Sequence, residues 1–316
     1  HMTKRISALL LALTLLLTIM SGCGSTTPAA AEATTAPAET VSEAPAAEEP
    51  AVAPADAPVI EGLTFAEETP LKYATVFRLF RYEGGYTLIR IDGDADYLVV
   101  PEGAVVPAKV DSSITVLQQP VNKIYLAATS AMSLFAAVDA LDHIRLTGTR
   151  ESGWYIDAAV EAMQRGDIEF AGKYSEPDYE RLIDEECDLA IESTMIYHTP
   201  KVKEMIEDLG IPVLVDRSSY EQHPLGRTEW IKLYAALVGK DTEAAEYFDR
   251  QAAIITQLEG FENTGKTVAF FFVNSDGSVV IRKPTDYIPK MIELAGGRYA
   301  FENFVTDQTN TSISVT

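Results

Sequence analysis

Cysteine is almost absent from this chain, with two among 316 residues, so a disulfide framework cannot carry the fold. Histidine is nearly as scarce, at four, which leaves little material for a His-rich metal centre. Positive charge is short as well: 25 Lys and Arg face 47 Asp and Glu, for a net charge of −22. Nucleic-acid binding needs clustered cations to neutralise phosphates, and adhesion to anionic lipid through a basic face needs the same, so both are excluded. Also missing are GxxxxGK[ST], GxGxxG after a strand, HExxH and GxSxG. With them go the Gly-rich phosphate cradles, the zinc-hydrolase helix and the nucleophile elbow. The apolar run at residues 6–20 (ISALLLALTLLLTIM) stops short of the roughly 20 residues of a comfortable transmembrane helix.

What stands at the N-terminus is an address. His1 precedes Met2 and reads as a vector remnant. Lys4 and Arg5 form a basic region, the apolar run follows, and Ser21-Gly22 places small residues before Cys23. This order resembles a bacterial lipoprotein signal, in which Cys23 becomes the lipidated first residue, although Met20 stands where Leu is usual. Residues 1–22 are therefore expected to be a signal peptide and 23–69 a disordered, lipid-anchored tether. Between Gly24 and Thr69 the chain is mainly Ala, Pro, Thr and Glu with no Lys or Arg, and too few large apolar groups to offset the entropy of ordering it. The expected location is extracytoplasmic, anchored to the cell membrane.

Residues 73–80 (YATVFRLF), 86–92 (YTLIRID) and 96–101 (DYLVVP) are β-rich runs separated by Gly84-Gly85 and Asp92-Gly93-Asp94, which predicts an antiparallel meander within 70–119. From 120 the rhythm changes. Strands at 123–127, 143–148, 168–171, 187–192 and 211–215 alternate with helices at 131–141, 155–164, 177–185 and 200–209. That alternation predicts a parallel sheet covered on both faces over 120–223. Residues 224–260 then read as a helical connector. Trp230, Leu233, Tyr234, Leu237 and Val238 share one helix face, Thr228 is a candidate cap, and Gly239 marks a stop before a second helix at 242–258. In 261–316 a strand at 267–273 (TVAFFFV), another at 278–282 and a helix at 287–295 begin a second lobe. Its few strands cannot finish a sheet of the first lobe's size, so the C-terminal lobe is expected to be incomplete in this chain. The predicted fold class is α/β: two Rossmann-like βα lobes joined by a long helical connector.

The order of these parts resembles the substrate-binding lipoproteins of ABC importers, in the class that takes up ferric siderophores, haem and vitamin B12. Several stretches carry the resemblance. Residues 172–192 (GKYSEPDYERLIDEECDLAIE) match a Glu-bearing helix leading into an "xPDLVI" strand, with Cys187 in place of the usual proline. Residues 227–249 match the connector, and 290–297 (KMIELAGG) match the helix and Gly-Gly turn of the second lobe. The meander before residue 120 lies outside the common pattern.

The resemblance implies a solute receptor without chemical turnover and without an intrinsic cofactor. It would be a monomer carrying a ferric siderophore, haem or corrinoid to an ABC permease and its ATPase. Glu180 falls where the family docks the first lobe to the permease; its plainer reading is a solvated helix carboxylate. Ligand contacts are expected on loops at the C-terminal ends of the parallel strands. Those loops carry Ser130 and Met132, Trp154 and Tyr155, Met195, Tyr197 and His198, and Arg217, Tyr220 and His223; Asn274, Arg282 and Lys283 are added from the second lobe. Aromatic faces with Arg and Lys suit a flat ligand bearing negative charge. Tyr197, His198 and His223 offer oxygen and imidazole donors for an exposed iron. Arg217 and Arg227 flank the connector's start, where pairing with Asp216 or Glu229 is the alternative role. Trp154 is the expected fluorescence reporter, while Cys187 reads as a small core residue. Two rival functions remain: a surface hydrolase using Glu151 and Glu192 as acid and base, and a sensor or adhesion module on the same fold.

Overall fold

The computed structural model describes residues 56–258, 261–307 and 312–315. Cys23, the signal segment 1–22 and the tether as far as residue 55 lie outside the described residues.

The chain opens with a five-stranded sheet in sequential order: β1 (Phe65–Glu68), β2 (Phe77–Tyr82), β3 (Thr87–Ile91), β4 (Asp96–Val100) and β5 (Ile114–Gln118). The first four strands are antiparallel and β5 joins β4 in parallel. Three of the five correspond to the predicted meander. The other two correct it. β1 falls inside the stretch assigned to the tether, because a few anchors outweigh the Ala/Pro/Glu composition around them: Ile60 is buried, the Phe65 ring meets Tyr82 edge-on at 6.1 Å, and Glu68 pairs with Arg78 at 2.7 Å. The sheet alternates as period two demands. Leu88, Leu98, Phe80 and Tyr82 enclose Ile60 on one face, while Phe77, Leu79, Ile89, Tyr97 and Val99 enter the main core on the other.

The second sheet is built from β6 (Ile124–Leu126), β7 (Ile144–Thr147), β8 (Glu169–Phe170), β11 (Leu189–Ser193) and β12 (Val213–Asp216); a small hairpin, β9 (Gly172–Lys173) with β10 (Glu176–Pro177), lies between β8 and β11. Its order is β12-β11-β6-β7-β8 and every pairing is parallel. Helices α1 (Thr129–Ala137), α2 (Asp157–Arg165), α3 (Tyr179–Asp184) and α4 (Pro200–Asp208) are the crossovers. Ile124, Leu126, Leu189 and Ile191 face α1 and the connector. Tyr125, Ala190, Val213 and Val215 face Leu182 of α3 and Ile206 of α4. These strands are apolar on both sides because helices cover both sides, as the sequence rhythm predicted.

The connector comprises α5 (Pro224–Glu229), α6 (Ile231–Val238) and α7 (Asp241–Leu258). Gly239 ends α6 with φ 72°, a left-handed cap that glycine adopts without strain. Thr228 is not a cap: it lies inside α5, whose first turn is capped by the His223 side chain. Trp230, Leu233, Tyr234 and Leu237 are all buried in the main core, which they share with Phe77 and Leu79 of the first sheet and Ile124 and Ile191 of the second.

The C-terminal part has a parallel pair, β13 (Thr267–Val268) with β16 (Arg298–Tyr299), and an antiparallel group, β14 (Phe271–Val273), β15 (Val279–Arg282) and β17 (Ser312–Val315), in the order β14-β15-β17. Helix α8 (Tyr287–Leu294) ends at Gly296, φ 76°. The single apolar strand expected at 267–273 is instead split between the two sheets, and Phe270, Phe271, Phe272 and Val273 are all exposed.

Candidate ligand-binding site

The strand order reverses at β6. The chain runs from β6 outward to β7 and β8, then returns to lay β11 and β12 on the other side. At such a reversal the loops leaving adjacent strand ends diverge and open a crevice. The loop after β6 and the loop after β12 are tied there by one buried carboxylate. Asp216 accepts from Ser130 Oγ at 2.7 Å and Tyr234 Oη at 2.8 Å through Oδ2, and from the Ser218 N–H at 2.7 Å through Oδ1. Burial, followed by the negative charge of Asp216, pushes the Tyr234 phenol well above its ordinary range, so it remains a donor. Two loops and the connector are thus fixed on one acceptor.

Two cavities lie where α5 meets α8. One, of about 410 Å³, is lined by Ser130, Ser133, Ser218, Arg227, Tyr287 and Met291. The other, of about 650 Å³, is lined by Gln222, His223, Asn263, Asp286, Lys290 and Tyr299, among others. The Arg227 guanidinium sits 4.3 Å over the Tyr287 ring at the first cavity. His223 stacks on Tyr73 with centroids 4.4 Å apart, and its Nδ1 accepts from the Leu225 N–H at 3.1 Å. Burial and the nearby Lys290 charge lower its pKa, against a smaller opposing effect of Glu293, so the ring is held neutral and fit to accept.

A third cluster stands at the tip of β12. The Arg217 Nη1 donates to Tyr197 Oη at 3.2 Å and to the Gly93 carbonyl at 3.3 Å, while its Cζ lies 4.6 Å from the Tyr220 ring centre and 5.9 Å from that of Tyr197. Met195, Tyr197, His198 and Tyr220 are exposed around it, and Tyr155 is exposed on the loop after β7. A guanidinium between two phenol rings is suited to a planar anionic group.

Several sequence-predicted contacts fall elsewhere. Met132 is fully buried in the main core, and Trp154 is 8% exposed with its Nε1 donating to the Thr149 carbonyl, so neither faces a crevice and Trp154 is a poor reporter. Asn274 is taken up by the β14–β15 turn through Ser278 Oγ. The Arg282 N–H donates to Tyr299 Oη and its guanidinium stands 3.7 Å from Asp286, so Arg282 and the adjacent Lys283 back the wall of the larger cavity rather than line it. Glu180 is exposed on α3. Tyr197 and His198 share one turn while His223 caps α5, and among the described residues no three His, Cys, Asp or Glu side chains are placed to hold a metal ion. Burial pushes the Cys187 thiol up to about 12, which fits a core residue. The acid–base pair of the hydrolase alternative does not assemble: Glu151 is exposed and accepts from Gln164, whereas Glu192 is fully buried in the parallel sheet.

Neither arginine at the connector's start forms the alternative ion pair. Glu229 instead accepts from the N–H groups of Lys72, Tyr73 and Ala74 and from Lys232 Nζ at 2.7 Å. Glu221 takes the N–H groups of Thr75 and Val76 and Trp230 Nε1. Sequence reasoning missed both carboxylates and the hub at Asp216. The available signal was a glutamate directly before the buried run beginning at Trp230, where a solvated residue is out of place.

No family model matches the chain. A periplasmic binding protein from Veillonella parvula superposes with a TM-score of 0.51 at 11% identity, over 76% of this chain and 72% of its own. The periplasmic haem-binding protein of Vibrio cholerae gives 0.48 at 15% identity, over 61% and 69%. An uncharacterised lipoprotein of Methanocaldococcus jannaschii is 23% identical over 209 residues, which are 62% of this chain and 49% of that protein. The chain thus spans about half the length of the curated relative it matches. Its fold is the α/β fold of periplasmic binding proteins, in agreement with the sequence expectation.

Proposed function

We propose that this chain is an extracytoplasmic solute-binding receptor that holds an iron chelate or related large cofactor (a siderophore, haem or corrinoid) and delivers it, unaltered, to a membrane ABC permease. The observation that carries the reading is the crevice at the β6 strand reversal, where loops fixed by Asp216 face α8 across two cavities. Preformed concave sites bordered by convergent polar and charged groups, here Ser130, Arg227, Gln222, His223 and Lys290 among them, suit a polar ligand held by fixed contacts. The fold shared with a periplasmic binding protein and the lipoprotein-like signal support an anchored receptor. Exposed Tyr155, Tyr197 and Tyr220 with Arg217 supply aromatic faces and a cation for a flat anionic ligand. Glu180, on the outer face of α3, is the proposed contact for an arginine of the permease, and Cys23 the proposed anchor. Such an exposed charge orients a transient encounter more than it tightens it.

Calorimetric titration of the full chain with ferric enterobactin, ferrichrome, haemin and cyanocobalamin tests the ligand class. Saturable one-to-one binding of at least one at micromolar concentration is expected. Absence of binding by all four would overturn the iron-chelate reading. Glu180→Arg should leave binding intact and lower uptake in cells; unchanged uptake would remove Glu180 from the docking surface.

A further inference from the structure

We infer that the first sheet helps form the ligand site: its β3–β4 turn, through Gly93, positions Arg217 as an anion-binding group. The meander has no place in the sequence pattern of the resembled receptors, yet its turn reaches the tip of β12. Tyr97 Oη, at the start of β4, has two acceptors for its one proton, the Val213 carbonyl at 2.8 Å and Asp94 Oδ2 at 2.7 Å. The same turn then meets the guanidinium face to face. A Cβ at residue 93 would stand 2.9 Å from Arg217 Nη2 and 3.1 Å from its Cζ, closer than side-chain carbons approach, and φ there is +73°. Glycine is required both for the turn and for the contact.

Arg217 is therefore held from three segments: the Gly93 carbonyl from the first sheet, Tyr197 from the turn after β11, and Tyr220 from the turn after β12. Its Nε is buried and has no hydrogen-bond partner among the described residues. A donor of a charged group buried without an acceptor is costly, and an anion that draws the guanidinium toward it relieves that cost. The chemistry that fits is a planar ring carrying a carboxylate or catecholate: the oxygens meet the guanidinium and the ring packs on Tyr220 or Tyr197. Gly93 is a positioning residue and Arg217 the charged contact, while Tyr197 and Tyr220 both hold Arg217 and offer their rings to the ligand. The ligand class deepens the receptor reading and rests on it; the positioning by Gly93 does not.

The test uses the full chain labelled with 15N, the Arg217 Nε–H resonance assigned by its loss in Arg217→Lys, and salicylate as the planar anion with neutral salicylamide as its counterpart. In the unmodified protein Arg217 should give a resolved, slowly exchanging signal that salicylate shifts and salicylamide does not. Tyr197→Phe, which adds no bulk, should speed its exchange and weaken salicylate about fivefold. Gly93→Ala should do so more strongly, yet change nothing further in the Arg217→Lys background. An Arg217 signal that exchanges like exposed Arg250 would overturn the positioning. An Arg217 signal unmoved by salicylate, or moved equally by salicylamide, would overturn the anion subsite. If Gly93→Ala does not fold, a nuclear Overhauser contact between the Gly93 α protons and the Arg217 guanidinium protons in the unmodified protein decides the positioning, and its absence overturns it. Should Arg217 behave as expected while no iron chelate, haem or corrinoid binds, the iron-chelate reading falls and this one stands.

Discussion

Glu229 Oε2 accepts the Tyr73 N–H at 2.8 Å, although 156 residues separate the two in sequence. Together with Glu221, Glu229 turns the connector into a cradle for the extended segment that precedes β2. Removing it strands three backbone donors and leaves the Lys232 ammonium on the Pro70 carbonyl at 3.3 Å. Glu229→Ala should cost about 3 kcal/mol in urea unfolding. Glu229→Gln, which keeps an acceptor, should cost visibly less. Equal losses for the two would mean that the acceptor is not what holds the segment.

Glu192 is fully buried, and neither of its oxygens has a partner among the described residues. Burial raises its pKa from 4.5 to about 8. Between those values the folded chain keeps a proton that the unfolded chain has released. Stability contributed by this group should therefore fall as pH rises from 4.5 to 8 and then level off, a span on the order of 5 kcal/mol. Glu192→Gln should flatten that slope and be the more stable form above pH 8. Denaturant midpoints at a series of pH values measure it; identical profiles for the two proteins would contradict the assignment.

His223 predicts the opposite trend. Its pKa lies below 6.5, so the stability tied to its neutral ring is present above 6.5 and lost as pH falls through the folded value. Proton NMR of the ring should give a midpoint below 6.5. Protonation also removes the lone pair that caps α5. His223→Asn retains a side-chain acceptor and should lose this acid sensitivity. A midpoint above the ordinary value would refute the burial argument.

Tyr234 reports on the Asp216 hub. Tyr234→Phe removes one of its donors and should cost about 1–2 kcal/mol in thermal unfolding. Asp216→Ala frees Ser130 and Ser218 as well, so its loss should be larger and should be accompanied by weaker ligand binding. A ligand affinity unaffected by Asp216→Ala would separate the hub from the crevice.

The parallel sheet was legible because strands buried on both faces announce themselves as short apolar runs, and Gly239 marked the helix break. The first sheet was half legible. β2, β3 and β4 stand out as short apolar runs set apart by Gly84-Gly85 and Asp92-Gly93-Asp94, but β1 is submerged in an Ala/Pro/Glu background, and β5 pairs in parallel after a long connection that local pattern does not encode. Placement near the parallel strand ends was legible for Ser130, Tyr197, Arg217 and Tyr220, because each follows directly on a strand of the sheet. Site chemistry was illegible where it depends on partners far away in sequence. Position beside the buried run hints that Glu229 is not solvated, but nothing local names the distant N–H groups that Glu221 and Glu229 accept from, or distinguishes Gly93 from an ordinary turn glycine. Met132 and Trp154 were misplaced because proximity to a strand end does not fix which way a side chain turns. The 267–273 run read as one buried strand because hydrophobicity alone cannot locate its split or its exposure.

Phe77 and Leu79 interlock with Trp230 and Tyr234 in the same apolar mass that seats Ile124 and Ile191. Residues 56–118 are therefore no detachable ornament. Excising them would bare the flank of the connector and leave Glu221 and Glu229 as naked charges against oil. Grafting a foreign version would require redesigning both surfaces together. Inheritance and engineering alike must treat the two sheets as one indivisible body.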